Sequence, residues 1–175
     1  MTTAAHRIEE LILQTDASGA PVRLEYVRGH THWEASPSSR HQKMLRRIER
    51  SVRPSFDGES SCACFTLVDV LIRFPDPDGS YKRPDLSIFC TEPPDSDEVL
   101  DVLPAAVVEI LSPGYEDKDL GPDGAPFYLA HGVVDVVVAD PHTGVVFHFQ
   151  RDRSPVTLQA PVTLVLTCGC SLDVP

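Results

Sequence analysis

The stretch Ala105-Ala-Val-Val-Glu109-Ile-Leu111 is a near-continuous apolar run with a single charge. A run of this kind is typical of a strand that is buried on both faces of a sheet. Residues 133–140 form a second, valine-rich run, and a third apolar segment, residues 145–150, follows a turn at residues 140–144. The three segments predict an α/β fold, in which residues 105–111 and 133–139 are central strands of a mixed sheet.

Additional strands are predicted on both sides of this centre. Residues 65–74 and 83–90 are rich in β-branched and aromatic residues, and the turn-forming sequence Pro75-Asp-Pro-Asp-Gly79 separates them. Residues 156–167 supply the last strand or two. We expect the late strands to form a sheet edge, and an exposed edge is a surface on which a homodimer could form.

The N-terminal third of the chain predicts two helices with a β-hairpin between them. Residues 6–15 have apolar side chains at helical spacing, and residues 23–34 contain two strand-like segments around an Arg28-Gly29 turn. Ser36-Pro37-Ser-Ser is a helix-start signature, which predicts a helix over residues 38–52. Between residues 113 and 132, glycines and prolines leave at most a short helix over residues 125–130.

The helix over residues 38–52 has an apolar stripe and a basic outer face. The stripe consists of His41, Met44, Leu45, Ile48 and Val52. The basic residues that we expect to contact nucleic acid are Arg40, Lys43, Arg46, Arg47 and Arg50. This face is either an ordinary solvated helix surface or a contact for a phosphate backbone, and the helix alone does not decide between them.

Length and composition indicate a single soluble domain of 175 residues. The net charge of −11 argues against a protein that coats nucleic acid, although it leaves room for a local phosphate contact. No apolar run is long enough to span a membrane, and the N-terminus lacks a secretory signal, so we expect a cytoplasmic protein. Phosphate-binding glycine loops and the nucleophile elbow of α/β-hydrolases are missing, which argues against a nucleotide cofactor.

Four of the five cysteines form two Cys-x-Cys pairs, Cys62/Cys64 and Cys168/Cys170. For a reducing compartment we expect free thiols or metal ligands and no disulfides. Four thiolates could bind zinc if the two pairs met in space. The spacing is not a usual zinc spacing, so the favoured interpretation is that these cysteines are small buried apolar side chains.

Two carboxylates lie in segments that are predicted to be buried. Asp85 begins a strand directly after Pro84, and Glu109 lies inside the central apolar run. A buried acid is costly unless it is paired or binds a cation. Two acids on neighbouring strands could hold one Mg²⁺, and many nucleases use this arrangement to activate water. The alternative is that each acid pairs with a nearby arginine or caps a turn.

The order of four segments resembles the Uma-type putative restriction endonucleases, a bacterial family within the PD-(D/E)XK nuclease superfamily. The segments are Arg23-Leu-Glu25 with Gly29, Ser36-Pro37 with His41, Arg83-Pro84-Asp85, and Val107-Val-Glu109-Ile-Leu-Ser112-Pro113 followed by Asp119, Tyr128, Gly132-Val133 and Asp140-Pro141. Each segment alone is unspecific, whereas their shared order and spacing are more specific. The resemblance covers about residues 22 to 141.

The resemblance implies a restriction-endonuclease-like fold, formed here by one domain over residues 1–175. It implies that Asp85 and Glu109 are the catalytic acids that bind Mg²⁺ or Mn²⁺, with Glu25 and His41 as auxiliary polar groups. By analogy with nucleases that cut two strands, it suggests a homodimer acting on DNA.

The chain departs from the family pattern at the catalytic lysine. The superfamily pattern has a lysine two residues after the second acid, Glu109, and this chain has Leu111 there. The family pattern has a lysine four residues before Tyr128, and this chain has Gly124 there. Lys118 is the predicted catalytic substitute, and Lys82 and Arg83 are further candidates. Two hypotheses remain: a Mg²⁺-dependent endonuclease that hydrolyses DNA, or a degenerate nuclease fold that serves as a nucleic-acid-binding or interaction module.

Overall fold

The structure, a computed structural model, describes residues 4–19, 22–55 and 62–175. This part of the chain contains four helices: α1 (Ala4–Ala17), α2 (Ser39–Ser51), α3 (Glu116–Leu120) and α4 (Ala125–Ala130). Among the described helices, none combines the length and the apolar character that crossing a membrane requires.

Thirteen strands lie within the described ranges. They are β1 (Val22–Val27), β2 (His30–Ala35), β3 (Arg53–Pro54), β4 (Phe65–Val68), β5 (Ile72–Phe74), β6 (Ser80–Lys82), β7 (Leu86–Phe89), β8 (Ala106–Ile110), β9 (Asp135–Ala139), β10 (Val145–Gln150), β11 (Val156–Gln159), β12 (Val162–Val165) and β13 (Cys170–Val174).

The central sheet has six strands in the order β11-β10-β9-β8-β7-β4. Strands β8 and β9 are parallel, with Ala106 opposite Asp135 and Ile110 opposite Ala139, and the other pairings are antiparallel. Every residue of β8 and β9 is buried, as expected for strands that are covered on both faces. The predicted mixed α/β fold with central strands at 105–111 and 133–139 is confirmed.

Two smaller sheets flank the central one. The predicted N-terminal hairpin, β1 with β2, is confirmed, and it extends through β6 and β5 into a four-stranded sheet. Strands β12, β13 and β3 form a three-stranded sheet, in which β13 pairs with both neighbours. Neither β3 nor β13 was expected from the sequence.

Helix α2 matches its prediction closely. The Ser38 hydroxyl accepts a hydrogen bond from the His41 backbone N–H and caps the helix N-terminus. Met44, Leu45 and Ile48 pack into an apolar cluster with side chains of β8 and β13. The stripe read from the sequence is therefore the buried face of this helix.

Residues 65–74, predicted as one β-rich stretch, form two strands in the structure. Asp69 has φ 57°, a left-handed conformation that breaks the strand and sends β4 and β5 into different sheets. Helix α3 is also additional to the expected elements, whereas α4 occupies the range predicted for the short second helix.

The expectation of cysteines without disulfides is wrong for this structure. Cys62 is bonded to Cys90, and Cys64 is bonded to Cys170. Cys64 lies outside a strand, with φ 51°, so the first Cys-x-Cys pair does not present both side chains on one strand face. Each of its cysteines instead bonds to a different segment of the chain.

A buried polar network surrounds Asp135 at the start of β9. The Asp135 carboxylate lies 2.9 Å from His148 Nε2 on the neighbouring strand β10, and it accepts a hydrogen bond of 2.8 Å from the Thr167 N–H. The Gln150 amide donates to the same carboxylate at 3.0 Å. Burial raises the pKa of Asp135, but these hydrogen bonds outweigh burial, and the pKa lies below its usual value.

We predict that Asp135→Asn destabilises the fold by about 2 kcal/mol, because an amide cannot accept all of these hydrogen bonds. A carboxyl with a lowered folded pKa contributes stability above its unfolded pKa, and this contribution is lost as pH falls through the folded pKa. The deficit of the variant should therefore shrink in acid. Urea unfolding between pH 3 and 7 measures it, with exposed Asp152→Asn as the control. An equal deficit at every pH would contradict the assignment.

Candidate functional site

Asp85 and Glu109 meet at the junction of β7 and β8. Asp85 Oδ2 accepts a hydrogen bond of 2.8 Å from the Ile110 N–H, and Glu109 Oε2 accepts one of 3.1 Å from the Asp85 N–H. Side-chain-to-backbone bonds therefore run in both directions between the two segments. Only 5% of Asp85 and 1% of Glu109 is exposed, so both acids lie inside the protein, as the sequence predicts.

Three further side chains contact this acid pair. His41, at the start of α2, lies with Nε2 3.0 Å from Asp85 Oδ2, and the Arg23 guanidinium lies 3.6 Å from Asp85 Oδ1. The Tyr128 hydroxyl of α4 donates a 2.6 Å hydrogen bond to Glu109 Oε1. The structure thus brings His41 to the acids, where the resemblance places it.

Glu25 belongs to the same buried region and contacts a lysine. Lys82 Nζ lies 3.2 Å from Glu25 Oε2, and the Arg83 N–H donates to Glu25 Oε1 at 2.7 Å. Lys82 also donates to the Asp123 carbonyl at 2.9 Å, and its ammonium lies 4.8 Å from the Tyr128 ring centroid. Lys82 is 1% exposed, which is unusual for a lysine and depends on these partners.

Lys118, the predicted substitute for the absent lysine, lies on α3 with its side chain largely buried. Its ammonium forms ion pairs with Glu34 at 3.2 Å and with Asp119 at 3.0 Å. The carboxylates of Glu25 and Glu109 also act on it electrostatically. Lys118 is therefore part of the acidic region, although its ion-pair partners are Glu34 and Asp119.

Burial and charge set the protonation of these groups. Burial raises the pKa of Glu109 well above its usual value, and the neighbouring carboxylates of Asp119 and Asp85 add to this against the opposing effect of Lys118. Burial also raises the pKa of Glu25, but Lys82 and Lys118 outweigh it and bring that pKa to about 2. One carboxyl of the site thus favours a proton while another stays ionised.

At both family positions for the lysine, the surroundings in this structure disfavour that side chain. Leu111 is buried in the apolar cluster that includes Tyr128. A Cβ atom on Gly124 would collide with the backbone carbonyl of Asp119, so no side chain fits there without a backbone shift. The close turn between α3 and α4 requires this glycine.

Several site residues received no role from the sequence. Arg23, Asp119 and Tyr128 belong to the segments that carry the resemblance, but only the fold shows what they contact. Lys82 was only a secondary candidate for the lysine, because a lysine beside a turn gives no sign that it is buried. Its position directly before Arg83-Pro84-Asp85 was the available signal.

The basic face of α2 lies on the same helix as His41, a residue of the acidic site. The residues predicted to contact nucleic acid are all exposed: Arg40, Lys43, Arg46, Arg47 and Arg50. Arg40, Lys43 and Arg47 line an open cleft of ≈ 720 Å³, whose lining also includes Pro113 and His142. His41 contacts Asp85 from the buried face of this helix, whereas the cations lie on its exposed face.

The donor set of Asp85 and Glu109 fits a magnesium-type ion. Mg²⁺ prefers carboxylate oxygens and is commonly bound through one or two of them together with waters. Burial is the main cause of the raised pKa of Glu109, so a cation beside this carboxyl would favour its ionised form. Both carboxylates have hydrogen-bond partners, so a bound ion would replace part of these contacts, including the Tyr128 hydroxyl on Glu109.

Comparisons with known proteins agree with this fold. The model of a family described as "Uma2: Putative restriction endonuclease" matches residues 8–174. A solved structure described as a putative nuclease belonging to DUF820 from Anabaena variabilis ATCC 29413 is similar, with a TM-score of 0.60 and 18% identity. The match covers 84% of this chain and 83% of that chain, and it supports the restriction-endonuclease-like fold. A search of curated proteins returned no match.

We predict that Asp119→Asn changes how stability depends on pH. Burial raises the pKa of Asp119 from 3.8 to about 6, so folding takes up a proton between these values and wild-type stability falls as pH rises through them. The wild-type free energy of unfolding should fall by about 3 kcal/mol over this range, and this fall should be absent in Asp119→Asn. Urea unfolding from pH 3.5 to 7 measures it, with exposed Asp117→Asn as the neighbouring control. Parallel wild-type and variant profiles would contradict the raised pKa of Asp119.

Proposed function

Since the chain belongs to the Uma2 family of putative restriction endonucleases, we propose that it is a metal-dependent endonuclease that hydrolyses the phosphodiester bonds of DNA. The observation that carries this proposal is the buried pair Asp85 and Glu109, which hydrogen bonds hold together where β7 and β8 meet. Lys118 is near enough to act on Glu109 electrostatically. Fold and family alone would not point to an active site, whereas two such acids in the family's positions support this one.

In this proposal Asp85 and Glu109 hold one Mg²⁺ or Mn²⁺. The chemistry that such an ion supplies in nucleases is polarisation of a phosphoryl oxygen and a nucleophilic hydroxide near neutral pH. His41 and Arg23 act as positioning residues, because both contact Asp85 and fix the orientation of its carboxylate. Tyr128 orients Glu109 in the same way.

Lys118 is the residue that we assign to the role of the absent lysine. Burial lowers its pKa, but the carboxylates of Glu25, Glu109 and Asp119 outweigh burial and hold the pKa well above its usual value. Lys118 therefore stays an ammonium group and cannot serve as a general base. Its contribution would be positive charge and a hydrogen bond to the scissile phosphate, where charge builds up in the transition state.

Lys82 has a different place in the proposal. Its ammonium lies between Glu25 and the Tyr128 ring, and it is almost fully buried. In this position it offsets the charge of the surrounding carboxylates and keeps the acidic site folded. We therefore assign Glu25 and Lys82 to support of the site and Lys118 to the substrate.

The alternative function, a nuclease fold that binds nucleic acid without cutting it, has one specific observation in its favour. Neither family position holds a lysine: Leu111 belongs to a buried apolar cluster, and Gly124 has no room for a side chain. In that case the basic face of α2 would still bind DNA. A homodimer remains a further prediction, for which β11 offers an exposed edge strand of the central sheet.

We predict that Asp85→Asn and Glu109→Gln each reduce nicking of supercoiled plasmid by a factor on the order of 10²–10³, because each removes a charge needed for metal-assisted attack. Nicking should require Mg²⁺ or Mn²⁺, and titration calorimetry should show that both variants lose metal binding. Exposed Glu98→Gln is the matched control and should behave as wild type.

The outcomes of this experiment separate the two functions. Metal binding without nicking by wild type would support the binding module and reject the endonuclease. No metal binding by wild type would reject the two-carboxylate site itself. Nicking that survives both substitutions would show that a different site or a contaminant cuts the plasmid.

We predict that Lys43→Gln/Arg47→Gln weakens DNA binding uniformly across sequences. Each exposed cation that contacts a phosphate releases counterions, so losing two should lower the slope of log K against log salt by about 2. Fluorescence anisotropy with a labelled duplex in EDTA measures binding without cutting. Exposed Arg153→Gln, away from the cleft, is the control. An unchanged salt slope would reject α2 as the DNA contact.

A further inference from the structure

All five cysteines of this chain lie in one place. The sulfur atoms of Cys62, Cys64 and Cys170 lie within 4.8 Å of one another, and so do those of Cys62, Cys90 and Cys168. Cys62 belongs to both groups, so the five side chains form a single cluster. If the cysteines served only as small buried apolar side chains, nothing would require all five to lie together.

Three separate segments supply these cysteines. Cys62 and Cys64 precede β4, Cys90 directly follows β7, and Cys168 and Cys170 lie at the turn from β12 into β13. The cluster therefore joins the edge of the central sheet to the three-stranded sheet. Structural zinc sites commonly join segments in this way.

The sulfur atoms of Cys62, Cys64 and Cys170 lie close enough to one another to occupy three positions around a single tetrahedral ion. Cys90, which is bonded to Cys62, supplies the fourth sulfur once the disulfides are reduced and its side chain turns toward the other three. With a Zn–S bond of about 2.3 Å, the ligand sulfurs of a tetrahedral site lie about 3.8 Å apart. Cys62 Sγ and Cys170 Sγ are already 3.4 Å apart, although they belong to different disulfides. Cys170 is fully buried and Cys62 nearly so, whereas Cys90 is half-buried and leaves a path for an ion.

We propose that the reduced protein binds one structural Zn²⁺ through the thiolates of Cys62, Cys64, Cys90 and Cys170. The disulfides and the zinc site use the same sulfur atoms, so they are mutually exclusive states of one cluster. The structure holds the oxidised state. This site is separate from the acid pair and does not depend on nuclease activity.

Conversion between the states balances in two steps. Two equivalents of a dithiol reductant each transfer two electrons and two protons to one protein disulfide, giving four protein thiols and two reductant disulfides. One Zn²⁺ then replaces the four thiol protons and forms four Zn–S bonds, and four protons are released to solvent. Loss of the cross-links on reduction is thus offset by a metal cross-link between the same segments.

The test is the metal content of the whole chain, purified with a dithiol reductant and measured by elemental analysis. We expect one zinc ion per chain, a fall toward zero in Cys64→Ser and in Cys90→Ser, and no change in Cys168→Ser. Circular dichroism checks that each variant is folded. Replacing the zinc of the wild-type protein with Co²⁺ should give the absorption bands of tetrahedral cobalt thiolate. This measurement does not depend on the folding of any variant.

Three outcomes would overturn the proposal. Reduced wild type without zinc would show that the cluster serves disulfides alone. Iron in place of zinc would reject the assigned metal. Loss of zinc in Cys168→Ser together with retention in Cys90→Ser would reject the assigned ligands.

Discussion

The pair of hydrogen bonds between Asp85 and the β8 segment is the interaction on which the rest of the site depends. Asp85 accepts from the Ile110 N–H while its own N–H donates to Glu109, so each acid is fixed by the segment that carries the other. His41, Arg23 and Tyr128 then contact carboxylates that are already in place. Removing either acid would leave buried polar groups without partners, which is costly in a core of this kind.

The sequence predicted the central sheet well because its signal is local. The buried strands β8 and β9 are continuous apolar runs, and the α2 stripe repeats at helical spacing. Glu109 could be picked out because a charge inside such a run conflicts with burial, and Asp85 because it begins the neighbouring predicted strand. Their meeting was expected once they were placed on neighbouring strands, and the structure places them there.

Other features depend on contacts that are distant in sequence and leave no local signal. Strand β3 has two residues and exists because β13 pairs with it. The cross-links of Cys62 and Cys64 could not be read from local spacing, since their partners lie 28 and 106 residues away. Lys82 looked like a surface residue until the fold placed Glu25 and Tyr128 around it.

The basic face of α2 has a consequence for how the molecule meets a charged partner. The chain carries a net charge of −11, yet five exposed cations lie along one helix. With so uneven a charge distribution, a polyanion would be repelled by the acidic remainder of the surface and attracted to this face. The polyanion would be oriented before contact, so a larger fraction of its collisions with the protein would occur at this face. Raising the ionic strength would weaken this long-range steering before it weakens direct contacts, because salt screens charges that are farther apart than the Debye length.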